Sequence, residues 1–252
     1  MSGAGTDHLK TQMKRAPAET GETLKQEARF GVAFLRKYGG RLLLVFIVLL
    51  LPLWGFAELV DELYDRKPFE FDQPILQFVH AMASAGFDRV FLLASKLGYE
   101  WGVIPVDILL VLTLALKRRV REGLFAGVAL GGAALLNIAA KQSFARERPT
   151  LWESISPEHS FSFPSGHAMG SMTLAVVCVL LAWRTRWRWP ALIGAGTFAV
   201  MVGLSRVYLG VHYPSDILAG WAAASAWAGA SFLLVFHHHR HPWQRRGIPQ
   251  TA

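Results

Sequence analysis

The 252-residue chain is 52 % hydrophobic and only 17 % charged, with a mean hydropathy of +0.30, too apolar for an ordinary soluble domain of its length. Its net charge of +8 is gathered in short clusters beside apolar runs, as at Lys117, Arg118, Arg119 and Arg121 and again at Arg184, Arg186 and Arg188. That arrangement marks the cytoplasmic loops of a membrane protein and argues against a nucleic-acid surface. The single cysteine, Cys178, excludes an intramolecular disulfide and reads as an apolar packing residue.

In chain order, residues 1–40 predict a polar cytoplasmic tail, too long and too polar for a cleaved signal peptide. Its 25–36 section can form an amphipathic helix on an anionic leaflet. Six apolar runs follow, at 42–59, 102–116, 123–140, 168–183, 191–204 and 217–236. The first reads as a signal anchor. The second and fifth are short for a crossing, so their helices should extend into neighbouring residues. Residues 69–98 predict one or two amphipathic helices at the membrane surface, with Pro74 near the start of the first. Residues 237–252 form a basic tail, in which His237, His238 and His239 mark the membrane edge. The expected fold is all-α, a polytopic membrane helical bundle with six transmembrane helices over residues 41–236. No solenoid repeat is present.

With the N-terminus inside, 18 of the 26 Lys and Arg residues fall on the inner face and 8 on the outer. The positive-inside rule therefore predicts two cytoplasmic termini. Trp183, Trp187 and Trp189 read as an aromatic belt at the inner interface. Half of the outer basic residues lie in three segments that this topology brings to one face. The loop after the third run begins at Lys141 and carries Arg146, Arg148 and Pro149. Pro164-Ser165-Gly166-His167 precedes the fourth run, and Ser205-Arg206 through His212 to Asp216 joins the fifth to the sixth.

The set holds Lys141, Arg148 and Arg206, two histidines, a carboxylate and a Ser-Gly turn opening a helix. Fixed cations without a carboxylate cluster suit a dianion such as phosphate. The helix starting near Ser165, Gly166 and His167 presents free N–H groups and a positive dipole end, and Gly166 lets the backbone approach a ligand closely. A metal would be repelled by the three cations, so no metal and no cofactor is expected. Each residue also has an ordinary reading. The histidines could meet water at helix ends, Lys141 and Arg148 could snorkel, and Arg206 and Asp216 could form a structural ion pair. Glu100, Asp107 and Asn137 suit hydrogen bonds between helices or a lipid-access groove, and Arg146 and His159 could touch substrate from the outer loop.

These segments resemble the type 2 phosphatidic acid phosphatase family, which shares its site pattern with vanadium haloperoxidases and bacterial acid phosphatases. The pattern Lys-x6-Arg-Pro, Pro-Ser-Gly-His and Ser-Arg-x5-His-x3-Asp occurs in order and without substitution. By that resemblance, His212 attacks phosphorus and forms a phosphohistidine, with Asp216 on its other ring nitrogen. Either one continuous helix or a turn with an N-cap at Ser215 or Asp216 would bring the two together. His167 protonates the leaving group and then activates water. Lys141, Arg148, Ser165, Gly166 and Arg206 bind phosphate.

The resemblance implies a metal-independent lipid phosphatase of a bacterial inner membrane with an extracytoplasmic site. Undecaprenyl diphosphate is the favoured substrate, and phosphatidic acid or phosphatidylglycerol phosphate the alternative. A non-catalytic lipid-binding or transport protein is the rival class. It would lose His212 or His167, and a transporter would show matched broken helices, whereas Pro52 has no counterpart. Nothing in the sequence sets the oligomeric state.

Overall fold

The computed structural model describes residues 45–65, 69–236 and 241–243, with scattered positions from 29 to 43. Two compact units result, Met1–Phe46 and Ile47–Ala252. In the first, positions 29–33 and 36 are helical. His237, His238 and His239 lie outside the described residues. Among the described residues the second unit contains only helices: α1 (Leu51–Tyr64), α2 (Asp72–Ala81), α3 (Ala85–Leu97), α4 (Val103–Leu116), α5 (Val120–Phe144), α6 (Gly166–Ala182), α7 (Arg188–Tyr208) and α8 (Pro214–Val235).

Among the described residues every apolar run is largely helical, but the six do not all reach the length expected of a crossing. Among the described residues, three helices, α5, α7 and α8, are long and apolar enough to cross a membrane. The fifth run extends at both ends, as expected, to the 21 residues of α7. The second does not. It stays at the 14 residues of α4, a rise of roughly 21 Å against a hydrocarbon core of about 30 Å. α6 is also short, at 17 residues. Pro52 opens α1 directly after a π-helical turn at Phe46–Leu50, since proline supplies no N–H to continue a ladder from the preceding turn. The 69–98 segment forms two helices. Ser84 starts the second by accepting a hydrogen bond from the Phe87 amide.

α6 sits at the centre, packed against α5, α7 and α8, while α1 lies on α8 and α4 on α5. Small residues allow these approaches. Ala133, Met169 and Ala224 meet where α5, α6 and α8 cross, as expected where packing rather than hydrophobic exclusion joins helices. Less than half of each long helix is buried. The outward faces carry side chains such as Leu135 and Ile138, the reverse of a soluble surface and suited to lipid. α2 and α3 pack on α7 and help enclose an apolar cavity of about 470 Å³, whose walls include Ile75, Phe87, Leu204 and Trp221. Trp183, Trp187 and Trp189 are exposed around the α6–α7 turn, at the end of α6 opposite His167.

Candidate active site

Four helix ends and one loop form the site. α5 ends at Phe144, where Ala145 takes a left-handed conformation (φ 45°) and its N–H returns to the Lys141 carbonyl. Irregular chain then carries Arg148 to the site, since Pro149 disfavours a helical residue before it. α6 starts at the N-cap Ser165, whose hydroxyl accepts from the Ala168 amide at 3.5 Å. Asn137 of α5 supports this turn through a 3.1 Å bond to the Pro164 carbonyl, and its amide also lies 3.7 Å from Met169 Sδ of α6, a contact between helices. It approaches so closely that a Cβ on Gly166 would lie 3.0 Å from its Oδ1. Between α7 and α8, Gly210 adopts φ +68° against the Trp152 ring, and this reversal delivers His212 to the centre.

His212 and Asp216 are completely buried. The His212 Nδ1 lies 3.3 Å from Asp216 Oδ2, and its Nε2 lies 3.1 Å from Arg148 Nη1. The two residues do not share a continuous helix. α8 begins at Pro214 with Tyr213 as N-cap, so neither Ser215 nor Asp216 is the cap. Asp216 instead occupies the third helical position, where its carboxylate accepts from the Tyr213 amide at 2.9 Å, half of a capping box. Burial, and then the guanidinium groups of Arg148 and Arg206, hold the His212 pKa well below its ordinary 6.5. Both favour the neutral ring, and the carboxylate at Nδ1 favours the tautomer with its lone pair on Nε2.

Arg206 and Asp216 do not pair with each other. Asp216 binds Arg146 at 2.5 Å and also accepts from the Ser162 hydroxyl. Arg146 reaches on to Asp72 at 2.9 Å and to Ser215 Oγ at 2.8 Å, and it covers the Tyr213 ring at 4.1 Å. Asp72 in turn accepts from the Ser215 amide and hydroxyl. Arg146 therefore stands behind Asp216. The exposed His159 points to no partner of this network. The other named polar residues stay apart as well: Asp107 has a buried Oδ1 with no hydrogen-bond partner among the described residues, and Glu100 is exposed in the turn after α3.

Glu158 gathers the remaining groups. Its carboxylate is bonded to Arg148 at 2.7 Å and to Arg206, and lies 3.7 Å from His167 Nδ1 and 3.9 Å from His212 Nε2. Burial by itself raises the Glu158 pKa, but Arg206 and Arg148 outweigh it and hold the group below the ordinary carboxylate range. Lys141 reaches Ser160 at 2.9 Å, beside Arg148. Arg206 also donates to Ser95 of α3, and the His167 ring packs on Tyr99 at 4.9 Å. The structure thus brings Lys141, Arg148, Ser165, Gly166, His167, Arg206, His212 and Asp216 to one end of the bundle.

Glu158, Asp72, Ser95 and Ser162 are absent from the sequence reading. The loop holds three acids, Glu147, Glu153 and Glu158, and no periodicity singles out the third. Asp72 lies 144 positions before Asp216, with no spacing to connect them.

Known proteins share this sequence and shape. The PAP2 superfamily pattern matches residues 122–240. Phosphatidylglycerophosphatase B of Bacillus subtilis is 34 % identical over 133 residues, covering 51 % of this chain and 65 % of that protein, just under two thirds of the relative's length. Undecaprenyl-diphosphatase of Sulfolobus acidocaldarius is 33 % identical over 172 residues, covering 66 % and 77 %. The crystal structure of a transmembrane PAP2-type phosphatidylglycerolphosphate phosphatase from Bacillus subtilis superposes with a TM-score of 0.64 at 26 % identity, covering 77 % of this chain and 98 % of that one. With its long apolar helices and a transmembrane structural neighbour, this is an integral membrane protein, and the chain belongs to the PAP2 superfamily of phosphatases.

Proposed function

We propose that the chain hydrolyses a lipid phosphate through a phosphohistidine, with His212 as nucleophile. The Nε2 lone pair attacks phosphorus as the bond to the leaving oxygen breaks, and His167 gives that oxygen a proton. The negative charge of the phosphoryl group favours the imidazolium form that His167 needs at this step. Water then attacks phosphorus and passes a proton to His167 while the phosphorus–nitrogen bond breaks back to His212 Nε2, releasing inorganic phosphate and a neutral His212. Asp216, accepting from Nδ1–H, stabilises the positive charge that develops on the ring. Lys141, Arg148 and Arg206, with the Ser165–Gly166 turn at the start of α6, hold the non-bridging oxygens, and phosphoryl transfer depends chiefly on such positioning. The observation that carries this reading is the convergence of both histidines and both guanidinium groups on one carboxylate.

For the substrate we propose undecaprenyl diphosphate, cleaved to the monophosphate, in line with the activity named for the Sulfolobus relative. Phosphatidic acid or phosphatidylglycerol phosphate is the second reading, favoured by the names of the Bacillus relative and structural neighbour. The six apolar runs suggest six helical crossings, by α1, α4, α5, α6, α7 and α8, and the 18-to-8 charge asymmetry favours an extracytoplasmic site with both termini inside.

The test is phosphate release by purified protein in detergent with EDTA present, offering undecaprenyl diphosphate, phosphatidic acid and phosphatidylglycerol phosphate side by side. Release that survives EDTA and vanishes in His212→Ala is expected, and the preferred lipid names the substrate. Release abolished by EDTA, or retained in His212→Ala, refutes the histidine mechanism.

A further inference from the structure

We infer that Glu158 is a resident anion in the phosphoryl position, which a substrate must displace. It thereby favours headgroups of higher negative charge and drives out the inorganic phosphate that hydrolysis leaves behind. The inference rests on the phosphate cradle proposed above.

The carboxylate makes the contacts a phosphoryl group needs. Its two oxygens divide between Arg206 and Arg148 and lie within 4 Å of the His167 and His212 ring nitrogens. A phosphorus placed for attack by His212 Nε2, with its oxygens on the same guanidinium groups, would occupy the same space. Two anions cannot share it, because both volume and like charge forbid this.

Glu158 is also the member of the cluster best able to leave. Its side chain is 24 % exposed, against 1 % for Arg206 and 0 % for His212. Its loop is anchored on either side, by Ser154 Oγ on the Leu209 carbonyl at 2.6 Å and by the Ser162 amide on the Arg146 carbonyl at 2.8 Å. The stretch between these anchors includes the exposed Ile155 and His159, while Ser160 accepts from Lys141 and Arg148. A short swing there takes the carboxylate to water while Ser162 keeps its bond to Asp216.

The competition has a definite sign. Tethered beside its partners, the carboxylate acts at an effective concentration on the order of millimolar or above. Its single charge must be outbid by the ligand, and attraction to the cations grows with ligand charge. A diphosphate therefore displaces it more readily than a monoester does. Once the phosphohistidine is hydrolysed, the returning carboxylate takes back Arg148 and Arg206 and lowers the affinity for product. Glu158 stays ionised for this purpose across neutral pH, because the cations around it oppose protonation.

Affinity for inorganic phosphate and pyrophosphate, measured calorimetrically on the full chain in detergent, tests this in wild type, Glu158→Gln, Glu158→Ala and Lys141→Gln. Both Glu158 variants should bind phosphate about tenfold more tightly than wild type, the scale of one charge-assisted contact. Phosphate should inhibit hydrolysis at correspondingly lower concentration, and the preference for pyrophosphate over phosphate should narrow. Phosphate binding no tighter in either Glu158 variant, yet weakened by Lys141→Gln, overturns the inference and leaves the cradle standing. A fall in kcat with unchanged phosphate affinity overturns it too, making Glu158 a proton-transfer group. If no form binds phosphate, the cradle reading itself fails and takes the inference with it.

Discussion

Two charged clusters meet at His212 and differ in how completely they are satisfied. Behind the ring, Asp216, Arg146, Asp72, Ser162 and Ser215 bond one another and the Tyr213 and Ser215 amides, and both carboxylates are almost entirely buried. In front of it, Lys141, Arg148 and Arg206 share one loop carboxylate that is partly exposed. The rear cluster has a carboxylate for each approach to its guanidinium and nothing to exchange. The front cluster carries more positive charge than Glu158 cancels. The proposed function needs this asymmetry, with a rigid support for the nucleophile on one side and a replaceable counter-charge on the other.

The sharpest way to break the comparison is Asp216→Asn. An amide there can donate to Nδ1, which reverses the tautomer and removes the lone pair from Nε2. The expected fall in kcat is about 10³–10⁴-fold, with KM little changed because the phosphate contacts remain. A mild loss in single-turnover kinetics would show that the rear cluster does not govern the nucleophile.

Arg146→Gln attacks the same cluster one step further back. Two buried carboxylates then lose their shared counter-charge, and breaking such an arrangement costs about 3 kcal/mol of stability. Thermal unfolding in detergent should show that loss, together with a kcat decrease of about tenfold to a hundredfold that Arg146→Lys partly restores. Should Arg146→Gln raise KM with kcat intact, Arg146 touches substrate after all.

The smallest effect is on pH dependence, where His212 and Glu158 contribute with one sign. His212 stays neutral in the folded chain, whereas the unfolded chain binds its proton below about 6.5, so stability declines as pH falls from that value. Glu158, ionised in the fold, contributes stability that is present above its ordinary 4.5 and is lost as pH drops through its depressed folded value. Unfolding midpoints should fall in two stages as pH drops below about 6.5. His212→Asn should shrink the upper stage and Glu158→Gln the lower. A variant that leaves its own stage unchanged refutes that assignment.

Parts of this were readable without coordinates. Residues with one fixed spacing along the chain, such as Ser205-Arg206 with His212 and Asp216, announce themselves because a turn and the start of a helix constrain them locally. Charge counting separately brought Lys141, His167 and Arg206 to one face. Helix lengths were less legible. The same apolarity that marks residues 103–116 as membrane-compatible says nothing about whether the helix continues past Gly102, where a Cβ would strike the Leu97 carbonyl at 2.2 Å. Asn137, by contrast, was readable as polar and interhelical but not as the support of the Pro164–Gly166 turn, because its partner lies in a loop 27 residues away.

The sequence by itself determined the class of protein, the all-helical membrane architecture and which residues to look for at a candidate site, since apolar runs and motif spacing are properties of local chain. Only the tertiary structure decided that Arg146 backs Asp216, that Asp72 of a peripheral helix completes that support, and that Glu158 stands among the cations. These are contacts across 10 to 143 positions. Buried charges must find partners wherever the fold supplies them, and no periodicity records which partner that is.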